Sequence, residues 1–568
     1  MANESFANTL LVEVEGSPLP ADVAALLTYA YVEDSRNLPD MFVLRFRDPQ
    51  HVALAKAGLT IGAKVALKVQ TADPGGPQPL MSGEITAVEL ELDPVGTIIQ
   101  VRGLDPAHRL FRGRRVAAYP NMTVADVVRK VAERAGLKPG KIDAVPGVGG
   151  QRETQLSQDN VSDWEFLSRL ADLVGAQLNV VEGALDFRLS TPPAGAPDIT
   201  ARATTDPLVL EAHRNLVSLR AGVSAAEQVP SVEARGWDFQ HKQEVSATAT
   251  PHTAGTEVTS VDPVKLARGF AAPPYLAADS AWHTPAVAKA VAEALAGQLG
   301  GACTELHGLA KGNPKLRAGA AVALANVGEP FIGKYTLTAT RHLFSEQAGY
   351  TTEFTASGRQ ERSLYGLVTG GNRGSRPVDG LVPAIVSDVR DPLRLGRVRL
   401  TFPWLAKDFT SGWARTVQMG AGKGRGSLVL PEVGDEVLVG FAGGAFDEPY
   451  VLGGLYNGKD PAPTVSAEPV DRSTGEIALR AFVSRTGHRV ELVEHDGIVI
   501  ATGDGKASVR LDKKRGVVEV KGANGVVIDA GTGPLELKGQ KVSVTATSAA
   551  ELSANGQVTV RGGVIRLN

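Results

Sequence analysis

A glycine-rich run at residues 420–427 is the first segment whose residue types could form a binding site. It reads Gly-Ala-Gly-Lys-Gly-Arg-Gly-Ser, and glycine loops that carry a lysine cradle phosphate groups in nucleotide-binding proteins. Such a loop needs a Gly-Lys-Ser/Thr triplet after four intervening residues and a helix directly behind it. Residues 428–431 continue as a β pattern instead. We therefore predict a loop of a β domain at this position rather than a nucleotide site.

The histidines and acidic residues give no second pattern for catalysis or metal binding. The chain has neither a His-Glu-x-x-His pair nor a Gly-x-Ser-x-Gly elbow, and its one cysteine, Cys303, excludes a cluster of cysteine ligands. Glu305-Leu-His307 and Glu494-His495 could each be half of a metal or acid–base site, but neither has a convergent partner. We interpret both as solvated or structural pairs and predict no catalytic residue, no cofactor and no metal. The histidines are at positions 51, 108, 213, 241, 252, 283, 307, 342, 488 and 495.

Size and charge narrow the class of protein. The 568 residues are enough for three or four domains. The 59 Lys+Arg nearly balance the 62 Asp+Glu, which argues against a dedicated nucleic-acid binder. The first residues lack the basic and apolar regions of a signal peptide, and no apolar run is long enough to span a bilayer. We therefore expect a soluble protein that folds in a reducing compartment.

The first 354 residues combine predicted strands with three capped helices. A short amphipathic helix is also expected over residues 20–31, and another β region over residues 306–354. Strands are predicted at 9–14, 41–46, 64–69, 83–92, 97–102, 177–181 and 185–188. The capped helices are 124–135 after Thr123, 163–174 after Ser162 in a capping box with Glu165, and 285–299 after Thr284. This part of the chain is predicted to include an α+β module.

Two turn-rich segments divide the rest of the chain. Residues 366–379 hold many turn residues and little apolar surface, so we place a domain boundary there. Five predicted strands between residues 381 and 456 fit a small closed barrel of the OB type. A segment rich in Pro, Ser, Glu and Asp follows at 460–475 and is predicted to be a linker.

The last segment contains an internal repeat of about eight residues. Each unit is a pair of apolar residues separated by one residue, with glycine between most units. The pairs are Ile498/Ile500, Val509/Leu511, Val518/Val520, Val526/Ile528, Leu535/Leu537, Val542/Val544, Val558/Val560 and Ile565/Leu567. One layer of such strands has no second sheet on which to bury its apolar face. Winding strands from several chains into one β-helix solves this problem, so the segment predicts an obligate oligomer.

Several of these segments together resemble one protein family, the VgrG-like spike proteins of contractile injection systems, which are related to the hub and spike of phage tails. The segments that carry the resemblance are RGLDPAHRL at 102–110, QDNVSDWEFLSRL at 158–170, GWD at 236–238, GRVRLTFPW at 396–404 and LPEVGDEV at 430–437. They occur in the family's order, and the resemblance covers essentially the whole chain.

The resemblance implies a mainly β homotrimer with an α+β hub. Residues 1–365 would be the hub domains of tube-type β-barrel and α+β structure, 366–380 a linker, 381–456 the OB-fold domain, 457–476 a second linker and 477–568 a triple-stranded β-helical needle. The implied function is structural, without enzyme activity. The trimer would sit below a hexameric inner tube, organise the baseplate, carry a PAAR-type tip protein and puncture the target envelope.

The implied partners are baseplate proteins, the tube and the tip protein, with possible effector cargo and transient contact with the target membrane, but no nucleic acid. Residues 564–568 end in open strands, which favours a separate tip protein. The last histidine, His495, precedes most of the repeat, so we expect no metal at the tip. We expect assembly in the bacterial cytoplasm as part of a phage tail-like particle that is released or delivered to target cells. A phage-like extracellular particle is favoured over a type VI apparatus or a phage tail.

Two alternatives from other classes stay open. The first is a spike-associated glycan or peptidoglycan hydrolase with its site in residues 1–365, because the interval at 457–476 is too short for a catalytic domain. The second is a trimeric β-helical adhesin fibre, although fibres usually end in a globular head that this sequence lacks.

Overall fold

The computed structural model describes residues 8–566 except 37, 72–74, 95, 151–153, 191, 194, 279–281 and 359–379. It is mainly β, and its contacts separate two compact units, Met1–Leu455 and Tyr456–Asn568. The boundary predicted at 366–379 lies outside the described residues, and the predicted domain limits remain predictions.

The first strands follow the predicted pattern of alternating buried and exposed residues. The strands are β1 Thr9–Val14, β2 Ser17–Pro18, β3 Leu27–Ser35, β4 Met41–Arg47, β5 Lys64–Gln70, β6 Gln78–Asp93, β7 Gly96–Leu104, β8 Arg115–Pro120, β9 Lys138–Ile142, β10 Gln155–Val161, β11 Ala176–Val181 and β12 Ala184–Leu189. The helices among them are α1 Ala21–Ala24, α2 Ala53–Ala57, α3 Val124–Arg134 and α4 Asp163–Val174.

The helix predicted over residues 20–31 is wrong for most of its length. The helix α1 ends after one turn at Ala24, and the chain then enters β3. Residues 27–32 read Leu-Thr-Tyr-Ala-Tyr-Val, a sequence rich in aromatic and β-branched residues that suits a pleated surface. Its alternate residues Ala30 and Val32 are buried, so pairing with neighbouring strands outweighs the local helical pattern.

The two capped helices α3 and α4 form as predicted. The Thr123 side chain accepts the Asp126 amide at 3.1 Å, and the Ser162 side chain accepts the Glu165 amide at 3.1 Å. These contacts satisfy amides that a helix start leaves unpaired. Gly175 ends α4 in the left-handed conformation at φ +70. Both helices pack with the pair β11–β12 around one core that includes Trp164, Leu167, Phe187, Val128 and Leu178.

One sheet of eleven strands joins the first hundred residues to residues 216–357. The later strands are β13 Val209–Glu211, β14 Leu216–Val223, β15 Val232–Asp238, β16 Gln243–Ala249, β17 Thr256–Glu257, β18 Tyr275–Ala277, β19 Thr304–Lys311, β20 Ala321–Ala325, β21 Gly333–Thr336, β22 Ala339–Ser345 and β23 Gly349–Ser357, with helices α5 Pro263–Gly269 and α6 Pro285–Gly301. The order is β14-β19-β23-β22-β3-β4-β7-β6-β5-β1-β2. The antiparallel pair β22–β3 is the junction between the two halves.

A buried ion pair lies at this junction. Arg317, from the loop after β19, contacts the Asp34 carboxylate of β3 and lies 4.0 Å from Asp40. Asp34 and Asp40 are both buried. Burial raises the pKa of Asp40 well above its usual range and raises the pKa of Asp105 to about 8. Arg317, which is itself partly exposed, therefore compensates the charge of a buried carboxylate.

The predicted five-stranded barrel is present. Its elements are β24 Val382–Asp388, β25 Arg399–Thr401, β26 Arg415–Thr416, β27 Ala421–Gly422, β28 Arg425–Gly426, β29 Glu436–Phe441 and β30 Pro449–Gly454. The sheet order is β25-β24-β29-β30-β26. Val398 and Ala414 exchange both backbone hydrogen bonds, at 2.9 and 2.7 Å, and so close the sheet on itself. Phe402, Val437 and Val439 fill its interior.

The second unit contains a single antiparallel meander. Its strands are β31 Leu479–Val483, β32 Arg489–Val493, β33 Gly497–Ala501, β34 Ala507–Asp512 and β35 Val517–Gly522, paired in chain order. The described residues 523–566 contain no strand. The predicted repeat is therefore paired within the chain only as far as Gly522.

Replacing Arg317 by methionine should destabilise the first unit by about 3 kcal/mol or more, because it leaves the Asp34 carboxylate buried without its cation. Chemical denaturation would measure the change. The matched control is Arg390→Met, whose partner Asp388 forms an ion pair on the surface, where solvent screens the charges and removal of the cation should change stability little. Equal effects of the two substitutions would contradict this account.

Replacing Asp105 by asparagine should reduce the loss of stability at high pH. The raised pKa means that the folded chain holds a proton that the unfolded chain releases near pH 4. Stability is therefore lost as the pH rises towards about 8, at about 1.4 kcal/mol per pH unit. Asparagine keeps the acceptor for the Ala107 amide and cannot ionise. The melting temperatures at pH 5.5 and pH 8.5 should differ less in this variant than in the wild type. The control is Asp126→Asn, because the hydrogen bond from Thr123 lowers the pKa of Asp126. In this control, the difference between the two melting temperatures should equal that of the wild type.

Candidate assembly surface

The glycine-rich run forms a hairpin of the barrel. Residues Ala421–Gly422 of β27 pair with Arg425–Gly426 of β28. Gly426 has φ +137, and a Cβ there would meet the Gly420 carbonyl oxygen at 2.2 Å, so glycine is required by both conformation and space. No helix follows the hairpin within the described barrel. The run thus has a structural reason for its glycines.

The acidic–histidine pairs do not gather into a site. His307 Nε2 lies 2.9 Å from the Glu305 carboxylate on an exposed part of β19. Among the residues that the structure describes, no group of three or more His, Cys, Asp or Glu side chains is arranged to hold a metal ion. Burial raises the pKa of the Cys303 thiol to about 11, which keeps it protonated and unreactive at neutral pH. No helix in the described part is long and apolar enough to cross a membrane.

One face of the C-terminal meander is apolar across all five strands. The cross-strand partners Phe482, Val490, Ile500, Val509 and Val520 form one row. Leu492, Ile498, Leu511 and Val518 form a second row two residues away, in which Arg480 takes the position on β31. Residues two apart in a strand share a face. We call these nine residues the apolar sheet face. Phe482, Ile500 and Val518 are 59%, 49% and 64% exposed, so the unit itself does not cover this face.

The opposite face of the meander is polar and partly covered. Its central row contains Glu491, Val499, Arg510 and Glu519. The segment before β31 folds onto this side, where the Ser466 amide donates to Glu491 Oε1 at 3.1 Å. Glu491 is completely buried. The two faces therefore differ in character, and only the apolar sheet face lacks a covering layer.

Residues 523–566 continue the apolar repeat without a partner. The described apolar side chains of this segment are exposed, and no strand ladder pairs its backbone groups. The exposed residues are Val526, Val527, Ile528, Leu535, Leu537, Val542, Val544, Leu552, Val558, Val560, Val564 and Ile565. Backbone N–H and C=O groups that are buried with apolar side chains need hydrogen-bond partners. The described part of the chain supplies no partner strand for this segment.

A loop of the barrel carries a further apolar surface. The Gln418 side chain holds it, accepting the Val429 amide at 2.8 Å and donating to the Val429 carbonyl at 3.1 Å. The exposed apolar side chains are Val417, Met419, Leu428, Val429, Leu430 and Val433. A contiguous apolar surface of this kind is typical of an interaction site.

Trp404 belongs to the barrel surface rather than to its core. The structure leaves Trp404 56% exposed, with its indole N–H donating to the Pro383 carbonyl at 2.9 Å. Phe402 fills the barrel instead and is fully buried. Nothing in the local sequence, where Trp404 follows Pro403 at the end of a strand, predicts this outward orientation.

Two family models match the chain. Residues 382–456 match the type VI secretion system/phage-baseplate injector OB domain. Residues 67–346 match the Alg8 N-terminal domain.

Known spike proteins are similar to parts of the chain. The type VI secretion system spike protein VgrG4b of Pseudomonas aeruginosa is 43% identical over 74 residues, which are 12% of this chain and 9% of that protein. The spike protein of Escherichia phage P2 is 29% identical over 181 residues, which are 30% of this chain and 81% of that protein. The residues that match VgrG4b cover less than a tenth of the length of that protein.

The fold as a whole is similar to a solved structure. The half-lidded Francisella PdpA-VgrG complex has a TM-score of 0.50 and 8% identity, over 91% of this chain and 88% of that one. This similarity concerns the fold. The matched OB domain and the spike relatives confirm the resemblance to VgrG-like spike proteins that the sequence indicates.

Proposed function

We propose that this chain is the structural spike of a contractile injection system. It acts as a homotrimer at the tip of the inner tube, organises the baseplate and punctures the target envelope. The observation that carries the proposal is the apolar sheet face, which is one layer thick and has no cover within its unit. The injector OB domain at residues 382–456 supports the same assignment.

Three copies of the meander would cover the apolar sheet face. Each chain would contribute one flat wall, with Ile500 and its neighbours directed inward and the polar row around Arg510 directed outward. Burial of apolar surface stabilises such an assembly by roughly 25 cal/mol per Å². The ion pairs of the outer face, such as Arg510–Asp496 at 2.7 Å, remain in water.

Residues 523–566 would then form the intertwined part of the needle. Their backbone has no partner strand in the chain, whereas strands from two other copies would supply one on each side. This arrangement pairs backbone groups along a rod without long flexible loops, and such a rod can transmit compressive force. A PAAR-type tip protein would cover the open strand ends near residue 566, and the tube and baseplate proteins would contact the N-terminal region.

The hydrolase and adhesin alternatives are distinguished by direct assay. A purified assembly should release neither sugar nor peptide from peptidoglycan, since a structural spike makes no covalent change. Release that a single carboxylate substitution abolishes would favour the hydrolase. In the source bacterium, deletion of the gene should remove sheathed particles from electron micrographs, and the full chain should restore them. Intact particles without the chain would contradict the spike and would favour a peripheral adhesin.

A charge on the apolar sheet face should dissociate the assembly. Ile500→Lys places an ammonium group in the middle of that face, where burial without a partner is strongly unfavourable. Multi-angle light scattering should give a trimer mass for the full chain and a lower mass for this variant. Val499→Lys is the matched control, because Val499 is on the opposite face beside Glu491, and it should leave the trimer mass unchanged. A monomeric wild-type chain, or a dimer, would overturn the proposed trimer.

Two truncations separate the contributions of the meander and the repeat. A chain ending at Gly522 keeps the meander and should form a weaker trimer that dissociates on dilution. A chain ending before Gly475 loses both segments and should be monomeric. Light scattering across a dilution series measures both, and a stable trimer of the shorter chain would place the assembly surface in residues 1–474 instead.

A further inference from the structure

The barrel docks on the N-terminal region through a small set of side-chain contacts. The strand β8 contributes Val116 and Ala118, which pack against the barrel core. The Gln155 side chain donates to the Thr410 carbonyl at 2.9 Å. Among the described strands, none of the barrel pairs with one of the N-terminal region. This contact can therefore open without separating paired strands among the described residues.

His283 is placed at the centre of this contact. It lies just before α6, and its Nδ1 is 2.7 Å from the Trp237 carbonyl oxygen of β15. Its Nε2 is 2.8 Å from a carboxylate oxygen of Glu448 in the barrel. The Phe239 ring packs edge-on against the imidazole, with centroids 5.1 Å apart.

Both neighbours of the imidazole are hydrogen-bond acceptors. A neutral histidine carries one N–H and one acceptor nitrogen, so it can satisfy only one of these two oxygens. The doubly protonated imidazolium donates to both and also forms an ion pair with Glu448. His307 provides the contrast, because its Nδ1 lies 3.3 Å from the Thr355 hydroxyl, a group that can donate as well as accept. The neutral form suits His307 and not His283.

Other charged groups surround His283 and oppose or support its protonation. From the barrel, Arg415 lies over the Phe239 ring at 5.3 Å, and its charge opposes a second cation. Asp447, next to Glu448, accepts the Ser157 amide at 3.3 Å. On the N-terminal side, Asp159 pairs with Arg169, and Asp238 pairs with His241 at the end of β15. Among the described residues, Glu448 is the only one of these groups that forms a hydrogen bond with His283.

We infer that His283 makes the docking of the barrel on the N-terminal region dependent on pH. Docking is tightest when the imidazole holds both protons. It weakens as the pH rises through neutrality, when one of the two hydrogen bonds and the ion pair with Glu448 are lost. This inference stands independently of the proposed spike function.

The direction of the pKa shift agrees with the geometry. Burial lowers the pKa of His283, but the hydrogen bond and charge of Glu448 outweigh it, and the net shift is upward. A histidine whose pKa is raised by a contact stabilises that contact fully below its unfolded pKa of about 6.5 and loses the contribution as the pH rises through the folded value.

Hydrogen exchange of the full chain tests the inference. Amide protection would be measured by mass spectrometry at pD values from 5.5 to 8.5, corrected for intrinsic rates, in peptides covering residues 155–161 and 445–450. Protection in the wild type should fall about tenfold or more across this range, the factor expected for one charge-assisted hydrogen bond. His283→Ala should show low protection throughout.

Glu448→Gln is the decisive variant, because its side-chain amide can donate to a neutral His283. Its protection should be nearly independent of pD. Asp447→Asn should keep the His283-dependent part of the profile, and His307→Gln should keep the whole wild-type profile. A flat wild-type profile, or an unchanged pD dependence in Glu448→Gln, would overturn the inference. If His283→Ala does not fold, the comparison of wild type with Glu448→Gln still decides the result.

Discussion

An apolar sheet face has to be covered, and in residues 479–522 the unit supplies no layer to cover it. The first unit solves this problem internally, because its cores are enclosed by helices, by sheet halves or by closure of the barrel at Val398 and Ala414. The C-terminal unit has a polar face that receives the preceding segment and an apolar face that receives nothing. This asymmetry is the reason for proposing that further copies of the chain cover the apolar sheet face.

The same constraint separates two kinds of surface along the chain. In the meander, the strands pair with one another within the chain except along the outer edges of β31 and β35, and the apolar side chains form most of the uncovered surface. In residues 523–566 both the side chains and the backbone need one. In the proposed trimer, the first kind of surface would associate as a folded unit, whereas the second would gain its strands only on association. The two halves of the repeat therefore differ physically although their apolar patterns are alike.

The sequence predicts the features that depend on local contacts. The caps at Thr123 and Ser162 are found because each involves residues three apart. The five barrel strands are found because alternation and turn residues mark them. The strand β3 is missed because its partners, β4 and β22, decide its conformation, and β22 is far away in the chain. The apolar doublets predict an unsatisfied face, but nothing in them indicates that pairing within the chain stops at Gly522. The contacts of His283 cannot be predicted from the sequence either, because Trp237 and Glu448 come from distant segments of the chain.

The β22–β3 junction also affects how the chain is made. The strand β3 leaves the ribosome early, whereas β22, which pairs with one of its edges, follows about 300 residues later. At about 5–20 residues per second, one long edge of the first half-sheet waits some 15–60 s for its neighbour. Unpaired edges of this kind are prone to pair with other chains. Charged side chains on β3, Glu33 and Asp34, later pair with Arg341 and Arg317, and during synthesis they would discourage premature pairing of nascent chains on one messenger.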